Sequence, residues 1–149
     1  MQVREVLEKN VITLHSDATH EEAARLLYGS NISGAPVLNT EGELVGMLSE
    51  KDLFKALYPS YRSFFESPEY YLAQEAREED IREVRTRKVS DIMSKAIFAI
   101  QPDTPLLRAG AIMLAKGIHR LPVLENGKLV GIVTRDHIYK AILRRHFGL

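Results

Sequence analysis

At 149 residues, 45% hydrophobic and 27% charged, the chain has the composition of an ordinary globular protein and can bury a core. Its twenty basic residues balance twenty acidic ones, so no global field recruits nucleic acid or an anionic membrane. The absence of cysteine excludes disulfides, thiolate metal sites and cysteine nucleophiles together.

In chain order, a short β-rich run over 11–15 meets a polar break at Ser16-Asp17. A helix follows, opened by Thr19 with Glu22 three residues on as a capping box, and Ala23, Leu26 and Leu27 form its buried stripe. Asn31, tolerant of left-handed backbone, closes it. An apolar strand starts at Pro36-Val37-Leu38, turns through Asn39-Thr40-Glu41-Gly42 and returns over 43–48 into a second helix that begins at Ser49.

Pro59 ends that helix. Ser67-Pro68 is a good N-cap and first-turn pair, and a charged helix to about Arg87 follows. Six aromatics (Tyr58, Tyr61, Phe64, Phe65, Tyr70, Tyr71) gather in the first part of this stretch. Two readings stand: they pack the extra helix onto the rest, or they form a surface for self-association or a partner.

From Val89 the chain repeats itself. Residues 3–57 align with 89–142 across a single-residue gap, pairing Val6 with Ile92, Leu14 with Ile100, Leu26 with Ile112 and Leu48 with Val133. The second β-rich run is 97–100, its helix is opened by Thr104 with Pro105 at the first helical position, and Gly117 replaces Asn31 as its close. A strand from Pro122-Val123-Leu124 reverses at Asn126-Gly127, a strong hairpin signal, and returns over 128–133. The final helix ends in Arg144, Arg145 and His146, a solvated turn complementing the helix dipole. Each unit is β-α-β-β-α and too small to close its own core, so the two are expected to pack face to face.

Two such copies, each with a Pro-Val-Leu strand, a hairpin and a Gly-hydrophobic-hydrophobic-Ser/Thr ending, resemble a tandem pair of CBS domains. The stretch "VSDIMSKAIFAIQPDTPL" resembles the usual opening of a second copy. The resemblance implies an α+β fold of two repeats with pseudo-two-fold symmetry: residues 1–58, a helical insert over 59–88, and residues 89–149. It implies a regulatory ligand-binding module rather than an enzyme, with two clefts between the copies, association into homodimers, and AMP, ADP, ATP or S-adenosylmethionine as ligand. No cofactor is required for that role. Output would pass through a separate protein target or through assembly.

The resemblance also places the site. Val11, Ile12, Ile32, Ser33, Ala35 and Pro36 stand at the family's positions for an adenine slot, and Asp52 stands where a carboxylate grips the ribose. In chemical terms, an ionised carboxylate accepts from two vicinal hydroxyls, and Ser49 begins a helix whose N-terminus favours phosphate. The second copy offers Ile97, Phe98, Ile118, His119, Leu121 and Pro122, with Arg120 in place of Gly34 adding a phosphate donor beside His119.

Ser-x-x-Asp before an apolar run also spells a capping box that needs no ligand, and the two roles can coexist. The second copy reads Thr134-Arg135-Asp136-His137, its acid one residue early. One residue on a helix rotates a side chain by about 100°, so Asp136 is not expected to point where Asp52 points; its alternative role is a first-turn carboxylate favoured by the dipole. His137 takes the ribose position, and a neutral imidazole touches one hydroxyl but cannot clasp two. The expectation is one stronger site (Ser49/Asp52) and one weaker or altered site (Thr134/His137), with Arg135 beside it suited to phosphate.

Competing classes lack their signatures. The sequence has no Walker loop, Gly-x-Gly-x-x-Gly, His-Glu-x-x-His or Gly-x-Ser-x-Gly, and its five histidines show no metal-ligand spacing. No apolar run approaches the ~20 residues of a membrane helix, and the N-terminus is charged from Arg4, so a soluble, cytoplasmic protein is expected. The remaining rivals are a ligand-independent dimerisation or protein-interaction scaffold and a module for S-adenosylmethionine or NAD.

Overall fold

A computed structural model describes residues 1–58 and 78–149, with residues 78–80 as backbone only. Pro59, Ser67-Pro68 and the aromatics Tyr61, Phe64, Phe65, Tyr70 and Tyr71 lie outside the described residues. The chain divides into two packing units, Thr13–Ala96 and Met1–Ile12 with Ile97–Leu149. Units of sequence repeat and units of packing therefore differ: the first twelve residues pack with the second repeat.

In the unit Thr13–Ala96, β1 (Leu14–His15) lies parallel to β2 (Gly34–Leu38), which pairs antiparallel with β3 (Leu44–Ser49). Among the described residues four helices accompany them: α1 (His20–Ser30), α2 (Glu50–Ala56), α3 (Glu78–Val84) and α4 (Val89–Ile92). The capping box expected for α1 is present, with Thr19 Oγ1 accepting the Glu22 N–H at 3.2 Å and Glu22 Oε2 accepting the Thr19 N–H at 3.1 Å. Asn31 closes α1 in the left-handed region at φ 52°. The core joins Leu14, Leu27, Val37, Leu48 and Leu53 to Val89 of α4. Burying such a side chain contributes roughly 1.5–3 kcal/mol.

The charged helix ends at Val84 rather than near Arg87. Two of the three residues beyond it cap α1 instead: the Arg85 and Arg87 carbonyls accept the Glu21 and His20 N–H groups at 3.2 and 2.7 Å. Tyr58, the one described member of the aromatic group, packs edge-on to Phe54 with ring centroids 5.2 Å apart.

The second unit begins with a 3-10 turn at Val3–Glu5 and continues through α5 (Leu106–Lys116), β4 (Arg120–Glu125), β5 (Lys128–Thr134) and α6 (Arg135–Phe147). β4 and β5 are antiparallel, joined by the Asn126-Gly127 turn with φ 51° and 76°. Val3 completes a core of Leu106, Met113, Leu121, Val123, Val133 and Ile138. α5 starts one residue later than the sequence suggests, with Pro105 at the N-cap. Thr104 is otherwise engaged: its Oγ1 accepts the Gln101 N–H at 3.1 Å.

The β-rich runs are also shorter than expected. In the second copy Ile100 alone bridges Val123, donating its N–H to the Pro122 carbonyl at 3.0 Å and accepting from the Leu124 N–H at 2.8 Å. The next ladder donor would be the Pro122 nitrogen, which carries no hydrogen, so the ladder stops and Phe98 is left outside it. Pro36 likewise offers β2 no donor. Among the described residues no helix is long and apolar enough to cross a membrane.

Candidate functional site

The tetrapeptide at the start of α2 folds as its spelling dictates. Ser49 Oγ accepts the Asp52 N–H at 3.3 Å, and Asp52 Oδ2 accepts both the Ser49 N–H at 2.9 Å and the Ser49 hydroxyl at 3.1 Å. The Glu50 N–H donates to the Ser33 carbonyl at 2.9 Å. Two first-turn donors are thus already used. The capping role is realised through a single carboxylate oxygen: Oδ1 of half-buried Asp52 has no hydrogen-bond partner among the described residues.

The second copy repeats this geometry with different chemistry. α6 starts in register with α2, so His137 and not Asp136 occupies the third helical position. Thr134 Oγ1 accepts the His137 N–H at 3.2 Å, and His137 Nδ1 accepts the Thr134 N–H at 3.3 Å in the place of a carboxylate oxygen. A ring nitrogen that accepts carries no proton, so the neutral imidazole bears its hydrogen on Nε2. Asp136 turns aside and pairs with Lys140 at 2.9 Å, a surface i,i+4 pair. Exposed Arg135 donates its backbone N–H to the His119 carbonyl at 3.1 Å.

The remaining expected residues separate by burial. Ala35 and Pro36 in β2, with Leu121 and Pro122 in β4, are buried. Ile32 and Ile118 are half-buried against their respective cores. Ser33 and His119 are exposed, Arg120 is half-buried, and Val11 and Ile97 are half-buried beside the more exposed Ile12 and Phe98. Lys116 Nζ stands 4.8 Å from the Phe98 ring centroid, a cation–π contact covering that ring. Val11 and Ile12 pack with the unit Met1–Ile12 and Ile97–Leu149, whereas Ile32–Asp52 belong to the other.

Two features escaped the sequence reading. His20 is buried, with Nε2 3.0 Å from the Leu53 carbonyl. A cleft of about 450 Å³ is lined by Glu5 as well as by His137, Lys140 and Arg144. Among the described residues no group of three or more His, Cys, Asp or Glu is placed to hold a metal ion.

Comparison with known proteins gives a consistent picture. The CBS domain family matches residues 3–59 and again 89–144. A Methanocaldococcus jannaschii protein, MJ1426, is 32% identical over 155 residues, covering 96% of this chain and 92% of that one. Inosine-5'-monophosphate dehydrogenase of the same organism is 31% identical over 137 residues, yet the match spans 91% of this chain and only 22% of the enzyme. Among solved structures, the CBS domain pair of MJ0100 in complex with 5'-methylthioadenosine and S-adenosyl-L-methionine has a TM-score of 0.73 at 26% identity, covering 97% of this chain and 98% of that one. CBSX2 from Arabidopsis thaliana has a TM-score of 0.75 at 26% identity, covering 97% and 95%.

Proposed function

Because the chain belongs to the CBS domain family and carries two copies of it, we propose that it is a regulatory module for adenosine-containing nucleotides, with its stronger site at Ser49 and Asp52. The observation that carries this reading is the division of labour on Asp52. Oδ2 holds the cap, and Oδ1, with two lone pairs, is left to accept from the two ribose hydroxyls. The MJ0100 domain pair, similar across nearly the whole chain, was crystallised with two adenosine derivatives, which supports the same ligand class here. AMP, ADP and ATP are the preferred candidates; S-adenosylmethionine and NAD share the ribose. The role is binding, not catalysis, and the output passes to a protein target or an assembly.

Calorimetry with adenosine, AMP, ADP, ATP, S-adenosylmethionine and NAD tests the reading on wild type and Asp52→Asn. Asparagine keeps a carbonyl oxygen for the cap and turns its amide toward the ribose, so folding is retained while the acceptor is lost. The expected loss of affinity is about 10-fold or more, since leaving polar groups unpaired costs roughly 1–3 kcal/mol. Equal affinity in the two proteins would refute the assignment of Asp52.

A second reading, ligand-independent association into homodimers, is favoured by α5. Leu107 and Leu114, seven residues apart on one helix face, are 72% and 75% exposed. Sedimentation of wild type and Leu114→Glu without ligand separates the two readings: dissociation by the charge supports a dimer built on that face.

A further inference from the structure

One face of α6 carries His137, Lys140 and Arg144 into the cleft of about 450 Å³ that it forms with the N-terminal turn bearing Glu5. The volume lies within the range of small-molecule sites. Its charges are not equivalent. Asp136 and Lys140 neutralise each other at 2.9 Å, and Glu5 Oε1 accepts the Gln2 N–H at 2.8 Å in a capping box of its own. Arg144 has no carboxylate partner among the described residues. The His137 ring, tied through Nδ1 to the Thr134 N–H, keeps Nε2–H as its uncommitted group.

His137 and Arg144 are two turns apart on one face, about 10 Å along the axis. Helical side chains lean toward the N-terminus, so the long Arg144 side chain is directed back toward His137. What remains after the internal pairings on this face of α6 is a guanidinium fork and an imidazole N–H, both donors, while the second oxygen of Glu5, on the N-terminal turn, is left as an open acceptor in the cleft.

We propose that this cleft binds the phosphoryl group of a small phosphorylated molecule between the Arg144 guanidinium and His137 Nε2–H. On this basis the departure from Ser/Thr-x-x-Asp in the second copy is a change of ligand class. Imidazole retains the cap that carboxylate provides in the first copy, while the group facing outward changes from acceptor to donor. The inference deepens the nucleotide reading and rests on it only in taking the third helical position as ligand-facing; the phosphate can belong to a nucleotide, another metabolite or free phosphate.

Imidazole NMR of His137 in the full chain, titrated separately with inorganic phosphate, adenosine and AMP, tests it. Phosphate and AMP are expected to shift the Nε2–H resonance and adenosine to leave it unmoved. Arg144→Gln is expected to weaken phosphate binding about 10-fold or more, in keeping with the loss of a charge-assisted pair. His137→Asp, which copies the cap of Asp52 and so keeps the fold, is expected to abolish phosphate binding, read by calorimetry. No phosphate response at His137, or one unchanged by Arg144→Gln, overturns the proposal. Adenosine binding that Asp52→Asn weakens, without any phosphate response, would overturn this inference alone. Phosphate bound at His137, with no adenosine bound anywhere, would uphold it and remove the adenosine reading alone.

Discussion

Gly131 lies against the backbone of Glu8: a Cβ added to it would stand 2.8 Å from the Glu8 carbonyl oxygen. That oxygen accepts the Ile132 N–H at 3.0 Å, and the Glu8 N–H returns to the Ile132 carbonyl at 2.8 Å. The other unit repeats the arrangement, with Gly46 2.9 Å from the Ser94 carbonyl oxygen by the same measure, and Met47 and Ser94 exchanging bonds of 3.0 and 2.9 Å. In each unit a lead-in segment from the far side of the sequence crosses the last strand, and only glycine lets the two backbones approach so closely.

Gly131→Ala and Gly46→Ala are therefore each expected to destabilise the fold by about 1–3 kcal/mol, the usual cost of overpacking. Urea unfolding monitored by circular dichroism measures it. Backbone on the other side of the contact cannot swing away as a side-chain tip can. A change below about 0.5 kcal/mol, the scatter of ordinary surface substitutions, would show that the lead-in segments do not pack this way.

The caps give a second prediction. Ser49→Ala and Thr134→Ala each remove the acceptor of a first-turn N–H, at an expected cost of about 1 kcal/mol. Asp136→Ala removes an exposed i,i+4 pair with Lys140 and a solvated first-turn carboxylate, and is expected to cost about 0.5 kcal/mol, less than Thr134→Ala. A larger cost for Asp136→Ala than for Thr134→Ala would mean that the acid, and not the imidazole, organises the start of α6.

Much of this was legible in the sequence. The duplication, the Thr19–Glu22 box, the left-handed closes at Asn31 and Gly117 and the Asn126-Gly127 turn each depend on a few neighbouring residues, and each appears as written. The exchange of lead-in segments was not legible, because Val3 and Val89 read identically whichever core receives them. The glycines aligned at 46 and 131 were the available sign: neither sits in a turn, so a close approach was the remaining reason for them. Ser-x-x-Asp was ambiguous because one carboxylate can either cap a helix or face a ligand, and the spelling does not say that Oδ2 alone takes the cap. The cleft beside His137 joins Glu5 to Arg144 from opposite ends of the chain, a juxtaposition that no local pattern encodes.

His20 supplies a third prediction. It aligns with Leu106, a core position, yet its buried Nε2 donates to the Leu53 carbonyl, one of the last carbonyls of α2 without a helical partner. His20→Leu keeps an apolar body and leaves that carbonyl unpaired, at an expected cost of about 1–3 kcal/mol. His20→Gln offers an amide N–H at a similar reach and is expected to recover most of the loss. If leucine proved as stable as histidine, the hydrogen bond would contribute nothing to joining α1 and α2.

The fourth prediction concerns Glu21, which ties the chain after α3 to α1. Arg25 donates to Glu21 Oε1 at 3.1 Å, while Arg85 approaches both carboxylate oxygens, Nε to Oε2 and Nη2 to Oε1, each at 3.1 Å. The hydrogen bond from Arg25 first, and that from Arg85 next, hold the carboxyl below its ordinary value of 4.5, against a smaller opposing push from desolvation. A carboxyl lowered on folding binds its proton more weakly in the native state, so its contribution is present in full above the unfolded value and is lost as pH falls through the folded one. Wild type is thus expected to exceed Glu21→Gln in thermal midpoint by a constant margin above about pH 5.5, a full unit clear of that value. The margin should shrink on acidification below 4.5 and also at 1 M salt, where the screening length falls to about 3 Å. A margin that widened as the pH dropped would have the wrong sign for a carboxylate stabilised by two guanidinium groups and would remove this clasp from the account of how α3 docks.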